Sequence, residues 1–254
     1  MSSLLLLMVA MTVTSCYREI KVLGGNSPKV TQVRNQKGFD QIEIWGSPNV
    51  YYTQADSFSV EVRGPEDIVD KIQTKVEGHT LAIRNEGKFG MINITMMADD
   101  ELGVHITSPD LVGIRLNGSG SFTSGRRVDT DNLQIVLHGS GDISFEDIIC
   151  DHCTTELIGS GDIEINRLEA QTSAASLVGS GDVDVRQWKV RETDIALKGS
   201  GDIDVDFVEG CERVTCRLSG SGDITLKGNV NQFQKKKSGS GDIDTSRLSV
   251  GNDR

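Results

Sequence analysis

The chain has 254 residues, a formal net charge of −11 and 25% charged residues, with four prolines and aliphatic side chains scattered throughout. That composition excludes a disordered acidic tail. The charge balance speaks against nucleic acid and anionic lipid surfaces as partners, and for solubility or loose association with cations.

The first element is an apolar run over residues 4–13, ending in Val13-Thr14-Ser15-Cys16. It is too short for an ordinary membrane-spanning helix, which needs roughly 20 residues. Small residues directly before a cysteine resemble a bacterial lipoprotein signal, although Met1-Ser2-Ser3 lacks the usual basic residue. Residues 1–15 then read as the signal peptide, Cys16 as the acylated membrane anchor and 16–38 as a linker. Everything downstream is expected outside the inner membrane, in the cell envelope, anchored at the outer membrane of a Gram-negative bacterium.

Residues 39–116 alternate apolar and polar, as in Gln41-Ile42-Glu43-Ile44-Trp45 and Phe58-Ser59-Val60-Glu61-Val62, with turn chemistry at Gly64-Pro65-Glu66-Asp67 and Glu77-Gly78-His79. This predicts an irregular β region, either continuous with the repeats C-terminal to it or a separate layer. Residues 117–250 then repeat one glycine turn, Gly-Ser-Gly-Asp, with first glycines at 139, 159, 179, 199, 220 and 239 after an imperfect copy at Gly118. A period near twenty predicts a solenoid in which each repeat is one coil. Strand alternation and the absence of helical stretches make the fold class all-β, a parallel β-helix (solenoid) with about 20 residues per coil.

Inward columns follow from the alternation: Leu137, Leu157, Leu177, Leu197 and Leu218 before the turn, and Ile143, Ile163, Val183, Ile203 and Ile224 after it. A third column is predicted at Val128, Ile148, Leu168, Trp188, Val208, Val230 and Leu248. Trp188 is expected to fill the space left by Ser173 and Ala175. The final coil carries Lys235 and Lys237 at inward positions, which reads as a charged cap on the open end. Cys153 and Cys216 fall three coils apart, roughly 14 Å along the axis, so they cannot pair. The four cysteines after Cys16 are expected to be free thiols, with Cys153 and Cys216 inward.

The opening Phe39-Asp40-Gln41-Ile42-Glu43-Ile44, then Val76-Glu77-Gly78-His79-Thr80-Leu81, then Ser108-Pro109-Asp110-Leu111 and the Gly-Ser-Gly-Asp ladder resemble, in that order, the head GIN domain family of autotransporter-adhesin-like lipoproteins from Bacteroides-type bacteria. The resemblance spans about residues 39–248. It implies a fold like a right-handed parallel β-helix and a surface or periplasmic role, and supplies no catalytic residue.

Chemically, the turn aspartates Asp142, Asp162, Asp182, Asp202, Asp223 and Asp242 stack about 4.8 Å apart, beside a second column of Ser144, Glu164, Asp184, Asp204, Thr225 and Asp244. As scaffold, each aspartate accepts turn N–H groups. As a binding device, the stripe associates weakly with Ca²⁺, which takes carboxylate oxygens. Polysaccharide lyases on β-helices pair such carboxylates with a basic residue, but Arg167, Arg186 and Lys227 look isolated. The histidines share no spacing, and Cys150-Asp151-His152-Cys153 has no second ligand pair for zinc. The expected function is a non-catalytic adhesin or ligand-binding scaffold for an extracellular glycan or protein, with no metal and no cofactor beyond loose Ca²⁺. The alternative is a carbohydrate-active enzyme, a lyase or hydrolase, on the same fold.

Overall fold

The computed structural model describes residues 27–85 and 102–251, so the signal segment and Cys16 lie outside the described residues. Among these residues seventeen strands join one continuous sheet, and one four-residue helix, α1 (Glu66–Val69), interrupts it. None of the described helices is long and apolar enough to cross a membrane. The sheet winds into stacked parallel coils, a β-solenoid.

The chain enters with β1 (Lys29–Arg34), which lies antiparallel on β4 (Ser59–Pro65). The segment expected as a linker therefore contains a strand, because Val30 packs against the core while Gln32 and Arg34, on the same face, hydrogen-bond to Asp70 and the Val69 carbonyl. After β1 come β2 (Gln41–Gly46) and β3 (Asn49–Gln54), joined by Gly46-Ser47-Pro48. Following β4 and α1, β5 (Ile72–Glu77) and β6 (Thr80–Asn85) form an antiparallel hairpin. Next, β7 (Gly103–Ser108) leads to β8 (Gly113–Gly118) and β9 (Ser121–Asp129). Spatial order departs from chain order here: β2 lies between β6 and β8, parallel to both, and β3 lies between β7 and β9. The described residues between 39 and 116 are thus part of the same solenoid, closed at the outer end by antiparallel strands.

From β8 onward space follows sequence. β10 (Asn132–Gly139), β11 (Asp142–Ile149) and β12 (His152–Gly159) are followed by four strands, β13 (Asp162–Gly179), β14 (Asp182–Gly199), β15 (Asp202–Gly220) and β16 (Ile224–Gly239), each running through a corner, and by β17 (Ile243–Val250). Each coil pairs in parallel with the next so that Leu137, Leu157, Leu177, Leu197 and Leu218 share one column, and Ile143, Ile163, Val183, Ile203 and Ile224 another, all buried. Full burial of one such side chain contributes about 1.5–3 kcal/mol, so these ladders dominate the stability.

The turn glycines answer to the stacking of backbones. A Cβ on Gly179, whose φ is +144°, would sit 2.0 Å from the carbonyl oxygen of Gly159, and one on Gly181 would sit 1.9 Å from that of Gly161. No side chain fits where successive coils approach so closely. The ladder starts one coil earlier than the repeat suggests, since Gly46 pairs with Gly118. Pro48 and Asn49 at the positions of the second glycine and the aspartate hide it in the sequence.

The third column needs correction. Val128, Ile148 and Leu168 are inward as expected, but the next members are Gln187 and Phe207, in register with Leu168 and with each other. Register shifts between Ile165 and Leu168 and after Gln187 and Phe207 re-aim the chain by one residue at the corner, as a bulge does. Trp188 instead lies at the outer surface, with the Arg167 guanidinium carbon 4.5 Å from its ring centroid. Val208 is exposed, and Val230 is buried in the neighbouring column with Cys211. At the far end Lys235 stacks over Cys216 and Lys237 over Leu218, with Lys237 Nζ 3.3 Å from Asp242 Oδ1. Their stems cover the last apolar layer while the ammonium groups stay in water.

Candidate functional site

The six turn aspartates do form one exposed column. Asp142, Asp162, Asp182 and Asp202 are in direct register. Their carboxylates do not serve their own turns. Four of the six accept the backbone N–H of the aspartate one coil on: Asp182 N–H donates to Asp162 Oδ1 at 3.2 Å, Asp202 to Asp182 at 3.2 Å, Asp223 to Asp202 at 2.8 Å and Asp242 to Asp223 at 2.7 Å. The column is therefore an inter-coil hydrogen-bond ladder, in which backbone donors offset part of the repulsion between stacked carboxylates. Asp142 titrates above its ordinary value, chiefly because it is partly buried and then because Asp162 lies beside it.

The second column is in register as expected: Ser144, Glu164, Asp184, Asp204, Thr225, Asp244. Its members Glu164, Asp184 and Asp204 line a shallow groove of about 310 Å³ together with Arg186, Asp206 and Lys227. Arg186, Asp206 and Lys227 occupy one register line on three successive coils. Two of the three basic residues that look isolated in the sequence are thus brought among the carboxylates. Twenty-residue stacking, invisible to local spacing, does this. Asp184 is pushed up by burial first, then by Asp204, Asp182 and Glu164, against the opposing pull of Lys227. Arg167 stands elsewhere, in a network with Asp147, Glu169 and Trp188. Among the described residues no three His, Cys, Asp or Glu side chains converge to hold a metal ion.

A second site was not legible as one in the sequence. The pairing of β2 with β6 sets Trp45 beside Arg84, with the guanidinium carbon 5.9 Å from the indole centroid. Trp45 is 44% exposed, although its strand neighbours Ile42 and Ile44 are buried. Around it Gly46, Ser47, Arg84, Asn85, Gly118 and Ser119 line an open cleft of about 580 Å³. Asn85 Nδ2 donates to Ser47 Oγ at 3.3 Å, and its Oδ1 is buried without a hydrogen-bond partner among the described residues. An exposed indole face flanked by a guanidinium, an amide and hydroxyls can stack on a ring's C–H face and bond its hydroxyl groups. The only sequence signal was a tryptophan at an outward position of an alternating strand.

Residues 38–211 match the family described as "Putative auto-transporter adhesin, head GIN domain". No curated protein matches the chain. Among solved structures, one described as a putative adhesin from Bacteroides fragilis is 27% identical, with a TM-score of 0.74 over 85% of this chain and 96% of that one. A structure named a putative lipid binding protein from Parabacteroides distasonis is 22% identical, with a TM-score of 0.69 over 91% of this chain and 100% of its own. A putative adhesin from the same organism shares 19% identity, with a TM-score of 0.64 over 86% and 97% of the two chains. At those last two identities the likeness is one of fold. The profile match, the coil-by-coil register and the glycine ladder agree, and the chain belongs to the head GIN domain family.

Proposed function

We propose that this protein is a non-catalytic adhesin of the cell envelope, tethered by lipid on Cys16, that holds an extracellular glycan against the Trp45 cleft. One observation carries the reading: the large exposed aromatic at the glycine-turn corner sits in an open cleft with Arg84, Asn85 and Ser47 around it. The adhesin designation of the 27% identical Bacteroides fragilis protein supports the same class of role. Stacking of a sugar on an indole needs no distortion of the ring and no proton donor, so it suits holding rather than cleaving.

A glycan array probed with the mature chain tests this. Binding to a defined set of glycans that falls at least tenfold in Trp45→Ala and in Arg84→Ala is expected. Array binding that survives both substitutions removes the cleft from the proposal. Mass spectrometry of membrane-extracted protein checks the tether, and an unmodified Cys16 removes it.

The groove on the acidic face supports a second reading, an enzyme acting on polysaccharide, because Lys227 and Arg186 lie among Glu164, Asp184 and Asp204. Release of reducing ends from a polysaccharide by the wild type, lost in Lys227→Met, would favour it. The repetition of carboxylates coil after coil favours a scaffold instead, because an enzyme needs a single centre.

A further inference from the structure

Four cysteines are buried and free among the described residues, and two of them form a pair unlike the others. Cys150 and Cys153 flank the two-residue corner Asp151-His152, whose side chains point outward, so both thiols turn into the core. They stand three residues apart on the two sides of that corner, both inward; the neighbouring Cys153 thiol pulls Cys150 below its ordinary value, and the neighbouring Cys150 thiol, with burial, pushes Cys153 up. The corner is pinned: the Asp151 and His152 N–H groups both donate to the Asp131 carbonyl at 2.8 and 3.2 Å, and Gln171 Nε2 donates to Asp151 Oδ1 at 2.7 Å. At the equivalent corners the flanking pairs are Ala170 with Ser173 and Val190 with Thr193. Only this coil presents two thiols.

The other local pair is not arranged this way. Cys211 Sγ donates to the Arg191 and Arg213 carbonyls at 3.2 and 3.3 Å and touches Thr193 Oγ1 at 3.7 Å. Cys216 lies one inward position beyond Val214, which faces the corner instead. Successive inward positions are about 6.8 Å apart along a strand, which takes Cys216 out of reach of a disulfide's short Cβ separation.

We propose that Cys150 and Cys153 are a redox pair that closes to a disulfide across this corner when the protein meets a disulfide oxidant. All four thiols are free in the structure, as expected from the sequence; the proposal adds an oxidised state for Cys150 and Cys153 and none for Cys211 and Cys216. With oxidised glutathione the thiolate of Cys150, the less deeply buried of the two, attacks one sulfur and expels a glutathione thiolate. The Cys153 thiolate then attacks the Cys150 sulfur of the mixed disulfide and expels the second. Two electrons pass to the oxidant, and the two protons lost by the cysteines end on the two glutathione thiols. An envelope address, as proposed above, supplies such oxidants, but the chemistry is tested without assuming it.

The full chain is refolded from its reduced, denatured state in a buffer of oxidised and reduced glutathione, then denatured and alkylated, and its peptides are mapped by mass. A Cys150 to Cys153 link with Cys211 and Cys216 alkylated is the expected result. Cys153→Ser should accumulate a glutathione adduct on Cys150, and a Cys211→Ser, Cys216→Ser double variant should still close the pair. Circular dichroism confirms that each sample has folded. Alkylation of all four thiols in the folded, oxidant-equilibrated protein, or a Cys211 to Cys216 link, overturns the assignment. Since the assay uses no membrane and no glycan, it can fail while the adhesin reading stands, and the reverse.

Discussion

The ladder of β10 to β17 and the cap built by β1 to β9 are parts of one sheet, but they solve different problems. In the ladder each coil meets a copy of itself on both sides, so one residue type serves a whole column, as with the leucines from Leu137 to Leu218. The cap must end the sheet, and it does so with reversed strands and a mixed interior. There Phe39 packs on Phe58 at 5.1 Å, and Tyr52, hydrogen-bonded to Ser108 Oγ at 3.0 Å and with its hydroxyl pushed up to about 12 by burial, stacks near Phe122. Repetition is cheap to encode, whereas closure needs positions that each do something different.

The sharpest way to break this contrast is through glycine. Gly179→Ala should cost about 3 kcal/mol or more, because overpacking here drives a methyl into a neighbouring backbone. Gly78→Ala in the cap, at φ +64° with open space around it, should cost only about 1 kcal/mol of left-handed strain. Gly125→Ala, with neither constraint, should be neutral or slightly stabilising. Urea unfolding of the three variants tests the ranking, and equal losses at Gly179 and Gly78 would sink the stacking explanation.

A second test separates charge from hydrogen bonding in the aspartate column. Asp182→Ala with Asp202→Ala removes two acceptors and should cost about 1 kcal/mol for each. The corresponding pair of Asn substitutions keeps the acceptor oxygens and should stay within about 0.5 kcal/mol of wild type in calcium-free buffer. Melting both with and without millimolar Ca²⁺ adds the cation question: stabilisation by several kelvin in wild type and none in the Asn pair would make the column a cation site rather than a backbone tie. The cap has no such charge, since Asn49 Oδ1 there meets Ser121 Oγ at 3.0 Å.

The irregular corner of the ladder gives the third. Gln187 is buried, accepts from Thr193 Oγ1 at 2.7 Å and leaves Nε2 unpartnered among the described residues. Replacing both with apolar residues of similar shape, Gln187→Leu with Thr193→Val, should raise stability by about 1 kcal/mol. Gln187→Leu alone should gain less, since it leaves the Thr193 hydroxyl only the Cys211 sulfur, a weak partner, at 3.7 Å. Differential scanning calorimetry reads both.

The smallest effect concerns pH. Asp184 is raised in the folded state, so its charge opposes folding at neutral pH and that penalty fades as pH falls through its folded value towards the unfolded one near 3.9. Asp184→Asn should therefore add about 0.3 kcal/mol at pH 7 and nothing below pH ~3.5. A gain that grows on acidification would contradict the assignment of burial and Asp204 as the cause.

What the sequence disclosed obeys the same division. The coil length, two of the three inward columns and the acidic face were readable because identical environments recur at a fixed interval. Trp188 and Val208 stand one place off the inward column because a one-residue bulge at the corner leaves no mark in the alternation: Val208 is as apolar as Phe207, and Trp188 more apolar than the Gln187 that is buried. Arg84 beside Trp45 and Lys227 beside Asp204 could not be seen, since each pairing depends on strand order or coil stacking rather than on spacing. The interleaving of β2 between β6 and β8 was hidden for the same reason.

That interleaving bears on how the chain is made. When β2 leaves the ribosome or the export channel neither of its neighbours exists yet, and its second partner is complete only once Gly118 has emerged. An N-to-C sequence of events cannot seed this molecule at its own beginning. Contact order then favours pairing first among the later repeats, whose neighbours arrive within one coil of each other, with the first coil joining once its partners are made.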